Sequence, residues 1–504
     1  MFSSVVLAIA VLSILVYWII TSLTTPSSEE HLVSMLPGRL PFIGHAWKMD
    51  MSKPHIILAK WAQMFGSIYR IQLYNDEILV LNDYKSIYEA LVVNGTSVSG
   101  RPPMYRTSQD GRNRHSIVWQ TYNDKLAFLR KEVLKSLKMY GQGLQQLESK
   151  CMEEIQELLK KFKLVENTPA NPWPIIYESV CSIMLNLVLG SAKSDNSNSI
   201  LNKVKDMNAM FNDTFGSGNS RKMDFLPWMR NVWCSEQQRL KKALILRDEI
   251  WNNDIKPLMR FSSDSVIHRL LMFSEHHSTN DLNVSEDTAK EVFTNLILAG
   301  TDTTSTALTC LLLLFLHYPD VQERMYEEIS SVVDIDRPPR LSDRSALPYC
   351  EAVLLELLRY ISHVPLSVPH YTMQETTIND KKVPADLTVY INLWALHHDE
   401  NIWEDPWAFN PDRFIDEKGR LLGPGHQKRR RLMVFGAGRR VCLGETLAKN
   451  RLFLFATSLV QKLTFSVIDR KKLPSRDPRT FEMGLVLHPK PFQLILNSRN
   501  NVHM

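Results

Sequence analysis

Cysteine is scarce in this chain, whose 504 residues include six cysteines that lie far apart. No two of them form a CxxC pair, so the sequence indicates neither a disulfide framework nor a zinc cluster and favours a reducing compartment. Strong charge is also missing, because the net charge of +5 is weaker than a nucleic-acid-binding protein usually carries. Short repeats, low-complexity tracts and fingerprints for flavin or nicotinamide are absent as well. What remains is an ordinary globular composition, 44% hydrophobic and 22% charged, with no nucleic-acid partner expected.

The N-terminus carries a membrane signal. Residues 5–20 read VVLAIAVLSILVYWII, and Phe2 and Leu23 extend this uncharged run to about the twenty residues that span a bilayer. Tyr17 and Trp18 lie near one end, where aromatic rings favour the membrane interface. A cleaved signal peptide is the alternative, but a basic region in front of the run is missing and the apolar stretch is long.

Polar and helix-breaking residues follow this run. The segment LPGRLPFIGH contains two prolines and two glycines, which suit neither a helix interior nor a central strand. We therefore predict a transmembrane anchor over residues 1–23, a polar and Pro/Gly-rich linker over 24–44, and one large domain over 45–504.

Helical periodicity dominates that domain, and strand signals are few. Apolar residues over 68–73 and 78–81, on either side of Asn75-Asp76, predict a two-strand hairpin, and a further strand is expected over 388–391. The predicted helices cover residues 125–140, 147–162, 173–189, 239–251, 291–317 and 348–361. The expected fold class is mainly α with a minor β portion.

One cysteine lies in an unusual setting, the segment FGAGRRVCLGE, which precedes a helical pattern. Loop amides, the charges of Arg439 and Arg440, and a helix N-terminus near Gly444 would stabilise a thiolate at Cys442. Gly438 and Gly444 would let the backbone approach a flat cofactor. A single soft thiolate suits haem iron better than a four-cysteine site. A buried free cysteine in a glycine loop is the alternative that this segment alone leaves open.

The complete pattern FxxGxRxCxG resembles the haem-binding loop of the cytochromes P450, and Phe435, Gly438, Arg440, Cys442 and Gly444 fill its positions. The resemblance implies the cytochrome P450 fold, a triangular helical body with small sheets and haem b between a long central helix and the cysteine loop. It also implies that Cys442 is the axial ligand of the iron, that Arg440 pairs with a haem propionate, and that Phe435 packs beside the sulfur.

Further cofactor-binding residues are implied by the same resemblance. Gly436 lies in the cysteine loop, and His370, in VPH, matches a position that contacts a propionate. The family's WxxxR pair is incomplete, because Leu126 stands where tryptophan is usual and only Arg130 is retained. Trp119 is out of register and does not replace it. We therefore expect Arg130 to reach a propionate alone, and haem retention to be somewhat weaker.

The predicted helix over 291–317 contains a polar stretch in an otherwise apolar segment. It follows polar and acidic starting residues at 283–287, and it reads AGTDTT from Ala299 onward. A polar kink satisfied within the helix is one interpretation. The resemblance implies instead a groove over the distal face of haem, where the catalytic residues Thr303 and Asp302 deliver protons.

Two more segments agree with this family. In LPYCEAVLLELLRY, Glu356 and Arg359 are three residues apart and share a helix face among leucines. The resemblance adds Arg413 from PDRF, and the three would form a buried network with a structural role. The pair His397-His398 in INLWALHH raises the question of a metal site, but adjacent residues face different ways and no carboxylate spacing completes one.

The implied activity is that of a haem-thiolate monooxygenase, which hydroxylates a lipophilic small molecule with dioxygen and two external electrons. NADPH–cytochrome P450 reductase is the implied electron donor, and cytochrome b5 is a second candidate partner. The basic run at 428–431, with Lys131, Lys135 and Lys138 on one helix, would be either a docking surface for an acidic reductase or a solvated charged face. The implied location is the endoplasmic reticulum membrane, with a single-pass anchor and a cytoplasmic catalytic domain.

A steroid is the expected substrate class, since the nearest resemblance is to the vertebrate drug- and steroid-metabolising clan. Within it, SGRP, INLWALHH and FGAG are closest to steroid 17α-hydroxylases. An apolar pocket with a few amides suits a rigid lipophile, and Asn208 or Asn212 would hydrogen-bond its polar end. Such a substrate would arrive from membrane lipid, into which DFLPWM at 224–229 would dip. The implied pocket residues are Asn208, Asn212, Asn295, Ala299, Val364, Val368, Leu485 and Val486.

Three other functions stay open at this point. One is a haem-binding sensor or carrier without turnover, and another is a membrane-anchored scaffold with an empty site, to which Leu126 gives slight support. The third is a haem-thiolate isomerase or dehydratase that needs no external electrons. Asp302 and Thr303 argue against the sensor and the isomerase, because neither function needs protons delivered to activated oxygen.

Overall fold

The computed structural model describes residues 2–23, 31–137, 142–190, 197–216, 218–230, 234–259, 265–276 and 284–499. Helices predominate in these ranges, which confirms the mainly α class. The α-helices are α1 Phe2–Leu23, α2 Pro54–Phe65, α3 Tyr84–Tyr88, α4 Tyr105–Ser108, α5 Arg112–His115, α6 Asp124–Ser136, α7 Gln142–Leu164, α8 Pro172–Leu189, α9 Ser197–Gly216, α10 Gly218–Phe225, α11 Cys234–Glu249, α12 Lys256–Leu258, α13 Val266–His276, α14 Glu286–His317, α15 Pro319–Val332, α16 Pro348–Ile361, α17 Leu393–His397, α18 Gln427–Arg431 and α19 Glu445–Lys462.

Short strands form small sheets, as the sequence predicts. The largest sheet has four strands in the order β1-β2-β6-β3, and three two-stranded sheets pair β4 with β5, β7 with β10 and β8 with β9. The strands are β1 Ile68–Leu73, β2 Asp76–Leu81, β3 His370–Tyr371, β4 Thr376–Ile378, β5 Lys381–Val383, β6 Thr388–Ile391, β7 Leu463–Ser466, β8 Glu482–Met483, β9 Leu487–His488 and β10 Ile495–Ser498.

The predicted hairpin is present, with a tighter turn than expected. Leu73 pairs with Asp76, so only Tyr74 and Asn75 form the turn, and Tyr74 has a positive φ of 56°. Buried and half-buried residues alternate along β1, while β2 is buried from Ile78 to Leu81. The burial of β2 follows from its position, because it pairs with β1 on one side and, in parallel, with β6 on the other.

Helix bounds follow the sequence pattern most closely where the ends carry a local signal. Helix α16 has the predicted bounds and starts with proline in its first turn. Helix α14 begins before the predicted residue 291, because the side chain of Ser285 accepts a hydrogen bond from the Thr288 amide and caps it. Residue 283, the first of the expected start, and residues 138–140, the end of another predicted helix, lie outside the described residues.

Helix α14 runs through the centre of the fold. It packs against α8, α16 and α19, and its last apolar half, from Thr304 to Leu316, is buried on every side. A helix that is apolar all round requires such a position. Its middle section, around Ala299, faces the cavity described below.

The three residues expected to form a structural network do so. The carboxylate of Glu356 is fully buried and accepts two hydrogen bonds from Arg359, both at 2.7 Å, and one from Arg413 at 3.2 Å. The remaining nitrogen of Arg359, Nη1, donates to the carbonyls of His397 and Pro406 at 2.8 and 2.9 Å. The network therefore joins α16 to the segment between α17 and PDRF.

The N-terminal run forms helix α1, and its residues from Val5 to Tyr17 are all exposed. This exposed apolar stretch is shorter than a bilayer span. Two other described helices are long and apolar enough to cross a membrane, Pro172–Leu189 and Glu286–His317, but 61% and 78% of them is buried inside the protein. These two are core helices. Residues 24–30 of the expected linker lie outside the described residues.

Candidate functional site

A cavity of about 830 Å³ contains most of the residues that the sequence singled out. That volume lies within the range of about 300–1,000 Å³ found for ligand pockets. Its walls come from the middle of α14, the loop between α18 and α19, the segment between α16 and β3, and the turn that joins β8 to β9. Many segments distant in sequence, including the stretch around Arg101, therefore meet at one site.

Cys442 faces this cavity. Its side chain is accessible from the cavity although protein surrounds it otherwise, whereas the other described free cysteines, Cys151, Cys181, Cys310 and Cys350, are buried. Its amide donates to the carbonyl of Phe435 at 2.9 Å, which closes the loop. Gly436, which precedes it in the cavity wall, has a φ of 72°. The loop thus presents the thiol to the cavity through backbone geometry that a glycine permits.

Gly438 serves a different purpose from the one expected. Its φ is 67°, and a side chain there would collide with the carbonyl of Leu91. The absence of a side chain therefore lets the loop pack on the segment 89–93, and it does not serve the approach of a cofactor. A Cβ at Gly444 would meet no described atom within 4 Å.

The charges that act on the thiol are not those predicted. Burial raises the pKa of Cys442 above its usual value and the charge of Glu445 adds to the rise, while the Gly444 amide and the charges of Arg130 and Arg451 offset part of it. The guanidinium groups of the predicted residues lie elsewhere: that of Arg439 lies over the Tyr122 ring, and Arg440 donates to the carbonyl of Ser99 at 2.8 Å. The cations that favour the thiolate thus come from helices α6 and α19 and not from the loop itself.

A cluster of basic side chains lines the same cavity without an acidic partner. It consists of Arg101, Arg130, Arg440 and His370, and no carboxylate pairs with the three arginines among the described residues. Burial, and then the charge of Arg101, lowers the pKa of His370 well below its usual value, so its ring is neutral. Burial, and then the charges of Arg440 and Arg130, lowers the pKa of Arg101 well below its usual value. The Nη1 atom of Arg440 is buried without a hydrogen-bond partner. Buried guanidinium groups that repel one another need an anion, so the cluster fits an anionic ligand such as one that carries carboxylates.

Arg101 is the member of this cluster that sequence reasoning missed. It is buried, and its guanidinium donates to the carbonyls of Val118 at 2.9 Å and Pro369 at 2.8 Å. The sequence did contain a signal for Arg101, the segment SGRP, but that segment was used only as evidence of a family resemblance. Leu126, at the position where tryptophan is usual, is fully buried in the main core and does not line the cavity. Position 126 therefore supplies no group to the cavity, whereas Arg101 does.

We expect Arg101→Leu to lower haem affinity by about tenfold to a hundredfold, because a hydrogen bond to a charged group contributes about 1.5–3 kcal/mol. The rate of haem transfer to excess apomyoglobin measures this loss. Arg114→Leu, on the exposed face of α5, is the control and should lose haem at the wild-type rate. Equal rates for both variants would show that the cluster does not hold the propionates.

The two predicted catalytic residues face different ways. Thr303 lines the cavity, and its hydroxyl donates to the Ala299 carbonyl at 2.8 Å. Asp302 is 3% exposed and does not line the cavity; its Oδ2 lies 3.5 Å from Nε2 of His488. Neighbouring positions on a helix are about 100° apart, so both cannot face one wall. The polar stretch AGTDTT therefore places the Thr303 side chain at the cavity and the Asp302 side chain outside it.

Arg451 is a second residue that the sequence analysis missed. It is 2% exposed, and its Nη2 donates to the Gly300 carbonyl and to the Thr304 hydroxyl, both at 2.9 Å. Burial lowers its pKa to about 10, against the opposing charges of Cys151 and Cys442. This cation links α19 to α14. The only signal in the sequence is a single arginine before the apolar run LFLF.

Six of the eight predicted pocket residues line the cavity: Asn295, Ala299, Val364, Val368, Leu485 and Val486. Asn208 and Asn212 do not, contrary to expectation. The amide nitrogen of Asn208 donates to the Tyr177 hydroxyl at 2.8 Å, and Asn208 is 2% exposed. The Oδ1 of Asn212 accepts a hydrogen bond from the Leu485 amide. Both asparagines are therefore held by the protein.

Of the three predicted asparagines, Asn295 is the one that reaches the cavity, and it is held in a fixed orientation. Its Oδ1 accepts a hydrogen bond from Ser116 at 2.5 Å, and its Nδ2 lies 3.5 Å from Glu291. Glu291 is buried and paired with Arg112 at 3.0 Å and Arg247 at 2.6 Å. His363 adds a second polar group to the wall, and burial lowers its pKa to about 4, so its ring is neutral.

The histidine pair has a structural role. His397 accepts a hydrogen bond from the Met433 amide at 3.2 Å and contacts Ser362, and burial lowers its pKa to about 3. His398 contacts the carbonyls of Trp394 and Tyr360. No cluster of three or more metal-ligating side chains occurs among the described residues.

The segment DFLPWM is less exposed than expected. Asp224 is paired with Arg106 at 2.6 Å, and both side chains are 6% exposed. Phe225 packs against Tyr74. Trp228 is 64% exposed and is the aromatic side chain of this segment that remains free for contact with a membrane.

Comparison with known proteins decides the family. Residues 35–496 match the sequence profile of the family described as Cytochrome P450. This chain is a cytochrome P450. It is 28% identical over 510 residues to a steroid 17-alpha-hydroxylase/17,20 lyase of Squalus acanthias, covering 98% of each chain. It is 32% identical to cytochrome P450 2U1 of Bos taurus, covering 88% of this chain and 81% of the other. A zebrafish cytochrome P450 solved with progesterone superimposes with a TM-score of 0.77 at 26% identity, over 88% of this chain and 99% of that one.

The cofactor of this P450 is therefore haem b, and the protein is a monooxygenase. The residues present fit that group: a thiol in a glycine loop faces one cavity wall, and an unpaired cationic cluster that would accept two propionates lines the same cavity. The family also implies a redox partner and a lipophilic substrate.

Proposed function

We propose that this P450 hydroxylates a steroid, at a haem whose iron is bound by Cys442 and whose propionates are held by Arg101, Arg130, Arg440 and His370. The observation that carries the proposal is the shared cavity, which joins this thiol and these basic side chains to a largely apolar wall with one fixed amide, Asn295. An apolar pocket with few polar groups suits a rigid lipophile with a polar end.

Bound haem with a thiolate ligand supplies the activation of dioxygen and the insertion of one oxygen atom into a C–H bond. The protein's own residues position the substrate and move protons. Thr303, which lines the cavity, holds a proton at its hydroxyl near the substrate, and Asp302, the adjacent residue on α14, is the acid that replenishes it. The apolar residues Ala299, Val364 and Val368 keep the substrate against the helix and exclude water.

Two electrons come from NADPH–cytochrome P450 reductase, with cytochrome b5 as a second donor. The basic helix α18 precedes the cysteine loop, and its Arg430 is exposed. Lys131 and Lys135 on α6 are exposed as well, whereas residue 138 lies outside the described part of the chain. Positive charge on this side favours rapid association with an acidic partner.

The exposed apolar stretch of α1 supports a location at the endoplasmic reticulum membrane, with a single-pass anchor over 1–23, a linker over 24–44 and a cytoplasmic domain over 45–504. An apolar helix surface in water would be unfavourable, so α1 belongs in lipid. Trp228, exposed on the body of the protein, would rest on the same surface.

Progesterone is the steroid with which we would test the proposal, and we expect it to shift the Soret band of the ferric protein on titration. Asn295→Leu should weaken progesterone binding about threefold to tenfold, since a net hydrogen bond contributes about 0.5–1.5 kcal/mol. Asn208→Ala is the matched control, because Asn208 does not line the cavity, and its affinity should stay within about twofold of wild type.

Product analysis with NADPH and reductase completes this test. Hydroxyprogesterone that requires NADPH supports the proposal. A protein that binds haem but shows neither a spectral shift nor a product with progesterone and related steroids would overturn the steroid assignment. A stronger loss in Asn208→Ala than in Asn295→Leu would overturn the role given to Asn295.

A further inference from the structure

His488 lies beside Asp302, and neither side chain lines the cavity. It lies on strand β9, which pairs with β8 near the C-terminal end of the domain. Its Nε2 is 3.5 Å from Oδ2 of Asp302, and its Nδ1 is 3.0 Å from the hydroxyl of Thr306. The His488 side chain is 19% exposed, whereas that of Asp302 is 4% exposed. The imidazole thus bridges solvent and a buried carboxylate.

The carboxylate of Asp302 is not fully hydrogen-bonded. Its Oδ2 is buried and has no hydrogen bond within the described structure. A buried carboxylate without partners is costly, so an N–H group or a proton must reach this oxygen during function. The nearest imidazole nitrogen requires only a small ring movement from 3.5 Å to make that hydrogen bond.

The surroundings of His488 favour two states of its ring. In the neutral ring, Nδ1–H donates to Thr306, and Nε2 accepts from the amide of Asn212, which lies 3.3 Å away. In the protonated ring, Nε2 carries a hydrogen and must donate, and Asp302 Oδ2 is the acceptor within reach. Trp173 packs edge-on against the ring at 5.3 Å and limits its position.

We propose that His488 relays protons from solvent to Asp302, whose new O–H bond then breaks as the proton moves on to the oxygen chemistry in the cavity, which restores the carboxylate. This inference rests on the proposed function. In each transfer the Nε2–H bond of His488 breaks and an O–H bond forms on Asp302 Oδ2, so the ring becomes neutral and the carboxylate becomes a carboxylic acid. Solvent then reprotonates the ring. Monooxygenation takes up two protons for each dioxygen, and imidazole exchanges protons near neutral pH.

His488 acts through Asp302, so it is a positioning and relay residue. Few ionisable groups surround this pair. They are Asp302 on α14, Tyr177 on α8, whose pKa is raised chiefly by burial, and His363, whose pKa is lowered by burial and then by His488. No lysine or arginine forms an ion pair with Asp302 among the described residues. No other described cation therefore replaces the imidazole as a direct proton donor to this carboxylate.

The test compares two substitutions in the full-length protein. His488→Gln keeps an N–H donor but cannot exchange a proton at neutral pH, while His488→Phe removes the donor as well. We expect both to raise, about threefold or more, the share of NADPH electrons released as hydrogen peroxide with progesterone, and to increase the solvent deuterium isotope effect. His31→Gln, an exposed histidine, should match wild type in both measurements.

A double-mutant cycle tests the interaction between His488 and Asp302 without enzymatic turnover. The unfolding midpoints of wild type, Asp302→Asn, His488→Phe and the double variant are compared, and we expect the double variant to unfold no lower than the less stable single variant. Additive losses would show that the two side chains do not interact. Wild-type peroxide release and isotope effect in His488→Gln would show that the ring is structural only; either result overturns the relay.

Failure of the relay and failure of the proposed function are distinguishable. The carbon monoxide spectrum and the progesterone titration of wild type test the haem and the steroid, and neither depends on His488. NADPH oxidation without steroid also consumes protons, so its solvent isotope effect tests the relay even if progesterone is not hydroxylated.

Discussion

Cys442→Ala yields a folded chain whose reduced carbon monoxide complex lacks the strongly red-shifted Soret band, and whose monooxygenase activity falls below detection. The thiolate is the soft ligand that gives haem this spectrum and its reactivity toward dioxygen. Stability should change little, because Cys442 is exposed to the cavity and fills no core space. Visible spectroscopy of the purified, reduced protein is the measurement.

Cys310→Ala is the matched control for this substitution. Cys310 is fully buried within α14, and burial raises the pKa of its thiol, so it stays a neutral packing residue. Its variant should keep the red-shifted band and lose only some thermal stability, because a small cavity forms. A red-shifted band that persists in Cys442→Ala would contradict the assignment of the ligand.

The sequence alone was sufficient for features that depend on local pattern. The bounds of α16 and of β6 agree with prediction because proline, apolar periodicity and β-branched residues act within one segment. The family was also within reach, since the FxxGxRxCxG pattern is contiguous. Local signals predict a helix over residues 239–251, but α11 begins earlier, at Cys234, and continues after Glu249 as a π-helical turn over Ile250–Ile255.

The rest of the site depends on contacts that no single segment records. Arg451 and Arg130, and not the arginines beside Cys442, act on its thiol, because the loop backbone determines where each side chain points. The sequence analysis predicts Asn208 as a pocket residue, but its amide nitrogen donates a hydrogen bond to the Tyr177 hydroxyl. The proximity of His488 to Asp302 joins residues far apart in sequence, and only the folded chain brings them together.

Glu356→Ala should produce the largest loss of stability among these variants, about 3–5 kcal/mol, because it leaves two buried guanidinium groups without their carboxylate. Both Glu356 and Arg359 are fully buried, and the Arg413 side chain is 6% exposed. The network lies directly before the segment that leads to the cysteine loop, so we also expect poor haem incorporation. Thermal unfolding and the ratio of Soret to protein absorbance measure the two effects.

A matched control separates the effect of burial on stability from the effect of the ion pair itself. Glu157 and Lys160 are also three residues apart on a helix, at 2.7 Å, but their side chains are 58% and 72% exposed. Glu157→Ala should therefore leave the unfolding midpoint and the haem content unchanged, since water screens an exposed pair and solvates the lysine that remains. If Glu356→Ala behaves like Glu157→Ala, the buried network does not stabilise the region around the thiolate loop. If it loses haem while the control does not, the desolvated guanidinium groups are the cause, because the spacing and the pair distance are the same in both helices.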